Sequence, residues 1–378
     1  MSRPVRPQPH RPAAVLLLVL AAALLAACDR QPASGTAVRR AAATSTVPAT
    51  TRPPATTAPP RAGGGRAPTG AAVTLAFGGD VHFAGVLAQR LARDPATAMG
   101  PIAAVLQRAD LAMVNLETAV TTRGTAQSKA FTFRAPPAAF TALRAAGVDV
   151  ATMANNHGMD YGLVGLRDSL AAASSARFPV AGIGNDAAEA FRPHVFTLHG
   201  QRVAVVAATQ VLDANLAAAW TAGDGKPGLA SAYQERRLLA AVRDARARAD
   251  TVVVDLHWGR ELQSCPIERQ RALAPRLVDA GADVVVGSHA HVLLGGGFLR
   301  GAYVDYGLGN FVFYSGGGVT ARSGVLLLTV RGRAVTGVRW VPAQISGGVP
   351  LPLQGAAAGR AVAAWKALRG CTGLAAAP

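Results

Sequence analysis

Residues 251–259 read Thr-Val-Val-Val-Asp-Leu-His-Trp-Gly. Four β-branched residues in a row predict a strand buried on both faces, and the run ends on the ligand-type side chain of His257. Further along, Val284, Val285 and Val286 form a second such run, followed by Gly287-Ser288-His289-Ala290-His291. Between the two, residues 267–280 read as a helix closed by Gly281. Upstream, residues 233–249 read as a long charged helix after a strand at 203–207. Strand, helix and strand in alternation predict an α/β domain with parallel pairing.

The pattern extends toward the N-terminus. Residues 73–77 form a β-branched and apolar run into Gly78-Gly79-Asp80-Val81-His82, where the glycines are expected to make a tight turn. A short strand at 112–114 leads into Asn115-Leu116-Glu117, and one at 148–153 leads into Asn155-Asn156-His157. Helices are expected at 101–108, 137–146 and 163–173. Beyond His291 the pattern changes. Residues 293–299, 302–306, 324–330 and 335–340 read as successive strands joined by Gly-rich turns, an all-β segment, and 357–368 as a last helix.

Asp, Asn and neutral His are ligands for hard or borderline divalent metals, and strand ends are where an α/β scaffold presents its site. Four His-bearing segments at such ends therefore predict a metal centre assembled from several loops. His194 and His199 have no companion motif and are read as loop residues. Trp258 is read as a wall of the site or as core, and Asn310 as a turn residue.

The order of these motifs carries a resemblance. Gly79-Asp80, Asn115-Leu116-Glu117, Asn155-Asn156-His157 with Asp160, His257-Trp258-Gly259 with Glu261, Gly287-Ser288-His289-Ala290-His291 and Leu308-Gly309-Asn310-Phe311 resemble the CapA family of capsule or poly-γ-glutamate synthesis proteins, within the metallophosphatase-like superfamily. The resemblance covers about residues 73–342. It implies a metallophosphatase-like two-sheet sandwich flanked by helices. It also implies a role in making or attaching an anionic surface polymer. Ala290 stands where relatives often carry proline, and His82 where many carry an apolar residue. Asp80-Val81-His82 is thereby closer to the Asp-x-His of the broader metallophosphoesterases.

On that pattern Asp80, His82, Glu117, Asn156, His257, His289 and His291 are the expected metal ligands, with Glu117 the bridging group by order. His157 is expected to face the leaving group as acid or orienting group. Asp160 and Glu261 are expected beside the histidines as functional partners or as surface acids. The implied cofactor is a divalent metal, two ions of Mn, Zn or Fe. Metal-assisted hydrolysis of a phosphoester or an amide is the expected chemistry. Whether the domain is an enzyme stays open: a non-catalytic anchored assembly or export factor that binds the polymer fits the same sequence.

The chain ends bound the setting. Arg3, Arg6 and Arg11 precede an apolar run at 13–27, long enough for a signal-peptide core and short for a membrane span. It ends in Leu25-Ala26-Ala27-Cys28, which resembles a bacterial lipobox, so residues 1–27 are expected to be a lipoprotein signal peptide and Cys28 the lipidation site. Residues 28–70 are rich in Ala, Thr, Pro and Gly without periodicity and are expected to be a disordered tether. Residues 71–378 remain for the domain. The expected location is the outer face of the bacterial cytoplasmic membrane.

The formal charge is +17, carried by arginine with only Lys129, Lys226 and Lys366 as lysines. Such a surface suits an anionic polymer or its biosynthetic machinery. No Arg-rich run or nucleic-acid module is present, so nucleic acid is set aside. Besides Cys28 the thiols are Cys265 and Cys371. An exterior compartment favours a disulfide between them, and two separate thiols are the alternative.

Overall fold

The computed structural model describes residues 70–314 and 317–378, all within the unit Gly64–Pro378. The expected signal peptide, Cys28 and, apart from Gly70, the tether lie outside the described residues. Among the described residues no helix is long and apolar enough to cross a membrane.

The strands of the two main sheets, in chain order, are β1 (Val73–Val81), β2 (Leu111–Leu116), β3 (Val150–Thr152), β4 (Val180–Ala181), β5 (His194–Leu198), β6 (Gln201–Thr209) and β7 (Thr251–His257). Then follow β8 (Val284–Ser288), β9 (Gly296–Leu299), β10 (Ala302–Asp305), β11 (Asn310–Val312), β12 (Arg322–Arg331), β13 (Ala334–Ser346) and β14 (Val349–Pro352). The first sheet has 8 strands in the order β14-β13-β12-β1-β2-β3-β4, with β11 also paired to β1. The second has 6, in the order β9-β10-β8-β7-β6-β5.

Pairing follows the sequence logic. Strands β1, β2, β3 and β4 run parallel, as do β6, β7, β8 and β10. Antiparallel strands close both sheets: β12, β13 and β14 on the first, β5 and β9 on the second. The expected all-β segment is therefore not one unit. Its first two strands join the second sheet and the rest join the first. Periodicity predicts strands, but partner choice depends on contacts distant in sequence.

The layers explain why the strands read as continuous apolar runs. Val73, Leu75 and Phe77 of β1 pack with Val203, Val205, Val253 and Val284 in a core between the sheets. Ala76 and Ala112, on the opposite face, pack with Leu91, Phe140 and Leu166 from helices α1 (Val86–Arg93), α2 (Ala138–Ala145) and α3 (Gly162–Ala176). On the outer face of the second sheet, Val252, Val254 and Leu256 meet α4 (Glu235–Arg248) and α5 (Glu268–Ala280). Leu238, Ala241, Val242 and Ala245 are the buried stripe of α4, spaced as one helical face requires. Each fully buried Val or Leu contributes roughly 1.5–3 kcal/mol of transfer free energy. A last helix, α6 (Gly355–Ala367), lies on β13 through stacked Trp340 and Trp365, whose centroids are 5.2 Å apart. This is the expected two-sheet α/β sandwich flanked by helices.

Gly78 and Gly79 do not make a turn. They lie inside β1, where pairing with β2 shifts register between Phe77 and Asp80. A Cβ on Gly79 would stand 1.8 Å from the carbonyl oxygen of Gly309. The glycines thus let the loop before β11 close on β1, and the irregularity sets the direction of Asp80. Gly79→Ala is expected to destabilise the domain by about 3 kcal/mol or more, because the clash is with backbone that cannot rotate away. Denaturant unfolding measures it, and a midpoint equal to wild type would contradict this packing.

Candidate metal centre

The parallel strands of both sheets end on the same side of the sandwich, and the polar residues that follow them meet there. Asp80 stands near the end of β1 and Asn115 near the end of β2. Asn115 Nδ2 donates to Asp80 Oδ1 at 2.8 Å and lies 3.2 Å from His257 Nδ1, at the end of β7 in the other sheet. Asn155, after β3, donates to Asn115 Oδ1 at 2.9 Å. Asn156 Oδ1 is 2.8 Å from His257 Nε2. Deeper between the sheets, Thr152 donates to Asp255 at 2.8 Å. Burial lifts that carboxyl to about 7, so the inter-sheet contact costs little charge.

Glu117 is the least compensated group. It is fully buried, and neither carboxylate oxygen has a hydrogen-bond partner among the described residues. Its Oε1 is 3.6 Å from His257 Nε2 and 3.8 Å from His157 Nε2. Burial and then the nearby Asp80 push its pKa well above the ordinary carboxylate range. His289 is 5 % exposed, and its Nδ1 is likewise buried without a partner. Burial, and then His291, take His289 down to about 3, so its ring is neutral.

His291 is the counterpart. Burial alone would lower it, but Glu117 and Asp80 outweigh that and raise it to about 10. Its Nδ1 is 2.8 Å from Asn310 Oδ1 and 3.5 Å from Asp80 Oδ2. His291 thus shares one group of ligand atoms with the buried Asp80 and Glu117. Both histidines have left-handed backbone, with φ of 92° at His289 and 55° at His291, a conformation costly for a side-chain-bearing residue.

Ligand atoms from three overlapping triads lie within 4.8 Å of one another: Glu117, His257 and His289; Asp80, Glu117 and His291; Glu261, His289 and His291. Buried acceptors with no donor, neutral imidazoles and mixed N and O chemistry fit a divalent transition metal. Glu117, His289 and His291 each belong to two of the triads.

Of the expected ligands, Asp80, Glu117, Asn156, His257, His289 and His291 come together. His82 does not. Its ring stacks on Phe133 at 4.6 Å, meets Phe313 edge-on at 4.2 Å, and its Nδ1 accepts from the Ala84 N–H at 3.0 Å. Asp-x-His spacing alone cannot say which way the loop turns the second residue. Glu261, exposed on the loop after β7, approaches His289 and His291 as a further ligand-type group. Asp160 is completely buried and holds His157 Nδ1 at 2.6 Å. Trp258 is core, its indole N–H donating to the Tyr306 carbonyl at 3.1 Å. Asn310 is no mere turn residue but the partner of His291.

Two further residues were not singled out from the sequence. Phe133 lies between His82 and His157, stacking on the latter at 4.2 Å, and its N–H donates to Asp160 at 2.6 Å. Lys129 is a buried cation 3.0 Å from Asp160 and 3.2 Å from Asp213, and it donates to the Asn156 carbonyl. A lysine in a chain whose basic residues are overwhelmingly arginine is the signal that marks it, since a compact ammonium fits where a guanidinium does not. Above the centre a cleft of about 910 Å³ opens from Asn156 and His289 past Arg260, Glu261 and Arg269.

Comparison with known proteins adds relatives. The chain is 35 % identical over 218 residues to the capsule biosynthesis protein CapA of Bacillus anthracis, covering 57 % of this chain and 52 % of that one. It is 32 % identical over 206 residues to the PGA biosynthesis protein CapA of Bacillus subtilis, covering 54 % and 53 %. A probable polyglutamine synthesis accessory protein of Mycobacterium tuberculosis matches at 31 % over 222 residues, covering 56 % and 58 %. The chain thus spans about half the length of the curated relatives it matches. Among solved structures, a hypothetical protein from Thermus thermophilus superposes with a TM-score of 0.47 at 19 % identity, over 72 % of this chain and 100 % of that one. A novel phosphatase from Mycoplasma pneumoniae superposes at 0.46 and 15 %, over 73 % and 94 %. The model of the bacterial capsule synthesis protein PGA_cap matches residues 74–315, from the first strand past the last site-bearing loop. By that match, the chain belongs to the PGA_cap family of bacterial capsule synthesis proteins.

Proposed function

We propose that this protein acts in the synthesis or attachment of an anionic surface polymer of the poly-γ-glutamate type, as a metal-dependent hydrolase or transferase held at the outer face of the cytoplasmic membrane by a lipid on Cys28. The observation that carries the catalytic part is Glu117: a buried carboxylate with no donor, within reach of His257, His289, His291 and Asp80. These five residues, with Asn156, would hold the metal, and Glu261 stands at its open side. A bound divalent metal there would polarise a substrate oxygen and lower the pKa of water.

The rest is the work of the chain's own groups. Asp160 accepts from His157 Nδ1–H, which fixes the ring and leaves Nε2 facing the centre, 3.8 Å from Glu117. Burial lowers the His157 pKa, so the resting ring is neutral and Nε2 can take up a proton and return it to a leaving oxygen or nitrogen. Lys129 neutralises Asp160 from the other side and holds the Asn156 backbone. Phe133 covers the His157 ring and keeps water from that face.

The test is cleavage of poly-γ-glutamate and of a model phosphodiester by the purified chain, with and without chelator. His157→Ala is expected to lower turnover roughly 10²–10⁴-fold while bound metal stays near wild type. Equal loss of metal and turnover would make His157 a ligand, and no turnover by wild type on either substrate would favour a non-catalytic assembly factor. Cys28→Ala is expected to move the protein out of the membrane fraction. Unchanged fractionation and unchanged mass would contradict the anchor.

A further inference from the structure

A second cavity, of about 300 Å³, lies between α6 and the β12–β13 pair and shares no lining residue with the cleft over the metal centre. Its walls are aliphatic and small: Leu293, Pro342, Leu353, Ala361 and Ala364 are among them. No acidic residue lines it, but two exposed arginines do, Arg322 and Arg360. Neither forms an ion pair among the described residues, unlike Arg237 with Asp224 and Arg276 with Glu235 on the second sheet's helices. Trp365 forms part of the wall. It is 6 % exposed, and its indole N–H is buried without a hydrogen-bond partner.

These features match one ligand chemistry. A partly open, mostly apolar space of this size falls at the lower end of small-molecule sites and takes a single slender chain. Two unpaired guanidiniums call for an anionic head. An oxygen on that head would also give Trp365 the acceptor it lacks, and leaving such a donor unpaired costs about 1–3 kcal/mol. We propose that the cavity binds a single-chain amphiphile with one anionic head, of the fatty-carboxylate class. Most of the cavity is built by residues beyond 315, where the family match ends, so it is a feature of this chain's C-terminal part.

The probe is decanoate, titrated below its micelle concentration into the purified mature protein. Tryptophan fluorescence reports it, because Trp340 and Trp365 both line the cavity. Saturable binding is expected, with decanol at least about tenfold weaker, as the loss of a charge-assisted hydrogen bond predicts. The double variant Arg322→Gln, Arg360→Gln is expected to weaken decanoate by a similar factor and leave decanol unchanged. Ala361→Leu is expected to close the space to both while metal content stays at the wild-type level. Non-saturable decanoate binding, or binding unaffected by both sets of substitutions, would overturn the proposal. So would the same fluorescence change from phosphatidylglycerol vesicles in place of decanoate.

Discussion

Glu117→Gln is expected to weaken metal binding at least about a hundredfold while leaving the metal-free protein as stable as wild type or more so. Loss of an outer-sphere partner typically costs 10–100-fold in metal affinity, and loss of a charged ligand costs more. The stability half of the result is the unusual one, since substitution of a fully buried residue ordinarily destabilises. Here the native carboxylate has no donor to lose, and its neighbours include a second carboxylate, Asp80. The sign of the pH effect follows. The folded-state pKa of Glu117 is raised above its ordinary 4.5. In metal-free protein its contribution is therefore fully present below that value and is lost as pH rises through the raised one. The amide removes this fall. Thermal unfolding in chelator across pH, compared between wild type and Glu117→Gln, reads it directly. A variant that is less stable at every pH would mean that Glu117 is held by the fold rather than reserved for a cation.

The second large effect concerns the C-terminus. Cys265 and Cys371 are joined with Cα atoms 5.7 Å apart, across a sequence separation of 106. Cys265 follows the loop that carries Glu261, and Cys371 follows α6. The bond thus ties the last helix to the rim of the metal centre. A crosslink closing a loop of that length restricts the unfolded chain by about 4–5 kcal/mol in the chain-entropy account, and measured losses on removal run to roughly 2–5 kcal/mol. Cys265→Ser with Cys371→Ser is expected to lower the midpoint of thermal unfolding by roughly 10 °C. Arg271 also holds the segment, donating to the carbonyls of Cys371 and Thr372 at 2.6 and 3.2 Å, so the helix need not detach. An unchanged midpoint in non-reducing buffer, or two alkylatable thiols in the native chain, would contradict the crosslink.

Much of this was legible from residues alone, and for identifiable reasons. Runs such as Thr251–His257 are buried on both faces, so they read as unbroken apolar segments, and their ends are marked by the change to His, Asn and Asp. Helices with a clean stripe, α4 above all, are equally plain. Short elements were not: β11 and β14, of 3 and 4 residues, carry no period long enough to read. Helix α1 begins at Val86, soon after His82, and buries only Leu87 and Leu91, too few to announce it. Within the site, ligand-type residues at strand ends were visible, but orientation was not. His82 and Asp80 are two residues apart, yet one packs among aromatic rings and the other faces the centre. The supporting residues Lys129 and Phe133 were harder still, because their roles come from contacts tens of residues away.

Elemental analysis of the chain purified without chelator, beside His257→Ala and His289→Ala, tests the central claim most directly. His257 and His289 come from different strands, and their rings are 4.8 Å apart between centroids. Wild type is expected to carry Mn, Zn or Fe in at least one-to-one ratio to chain, and each variant to lose most of it with the fold retained. Metal-free wild type after incubation with all three ions, or wild-type metal content in both variants, would contradict the metal centre.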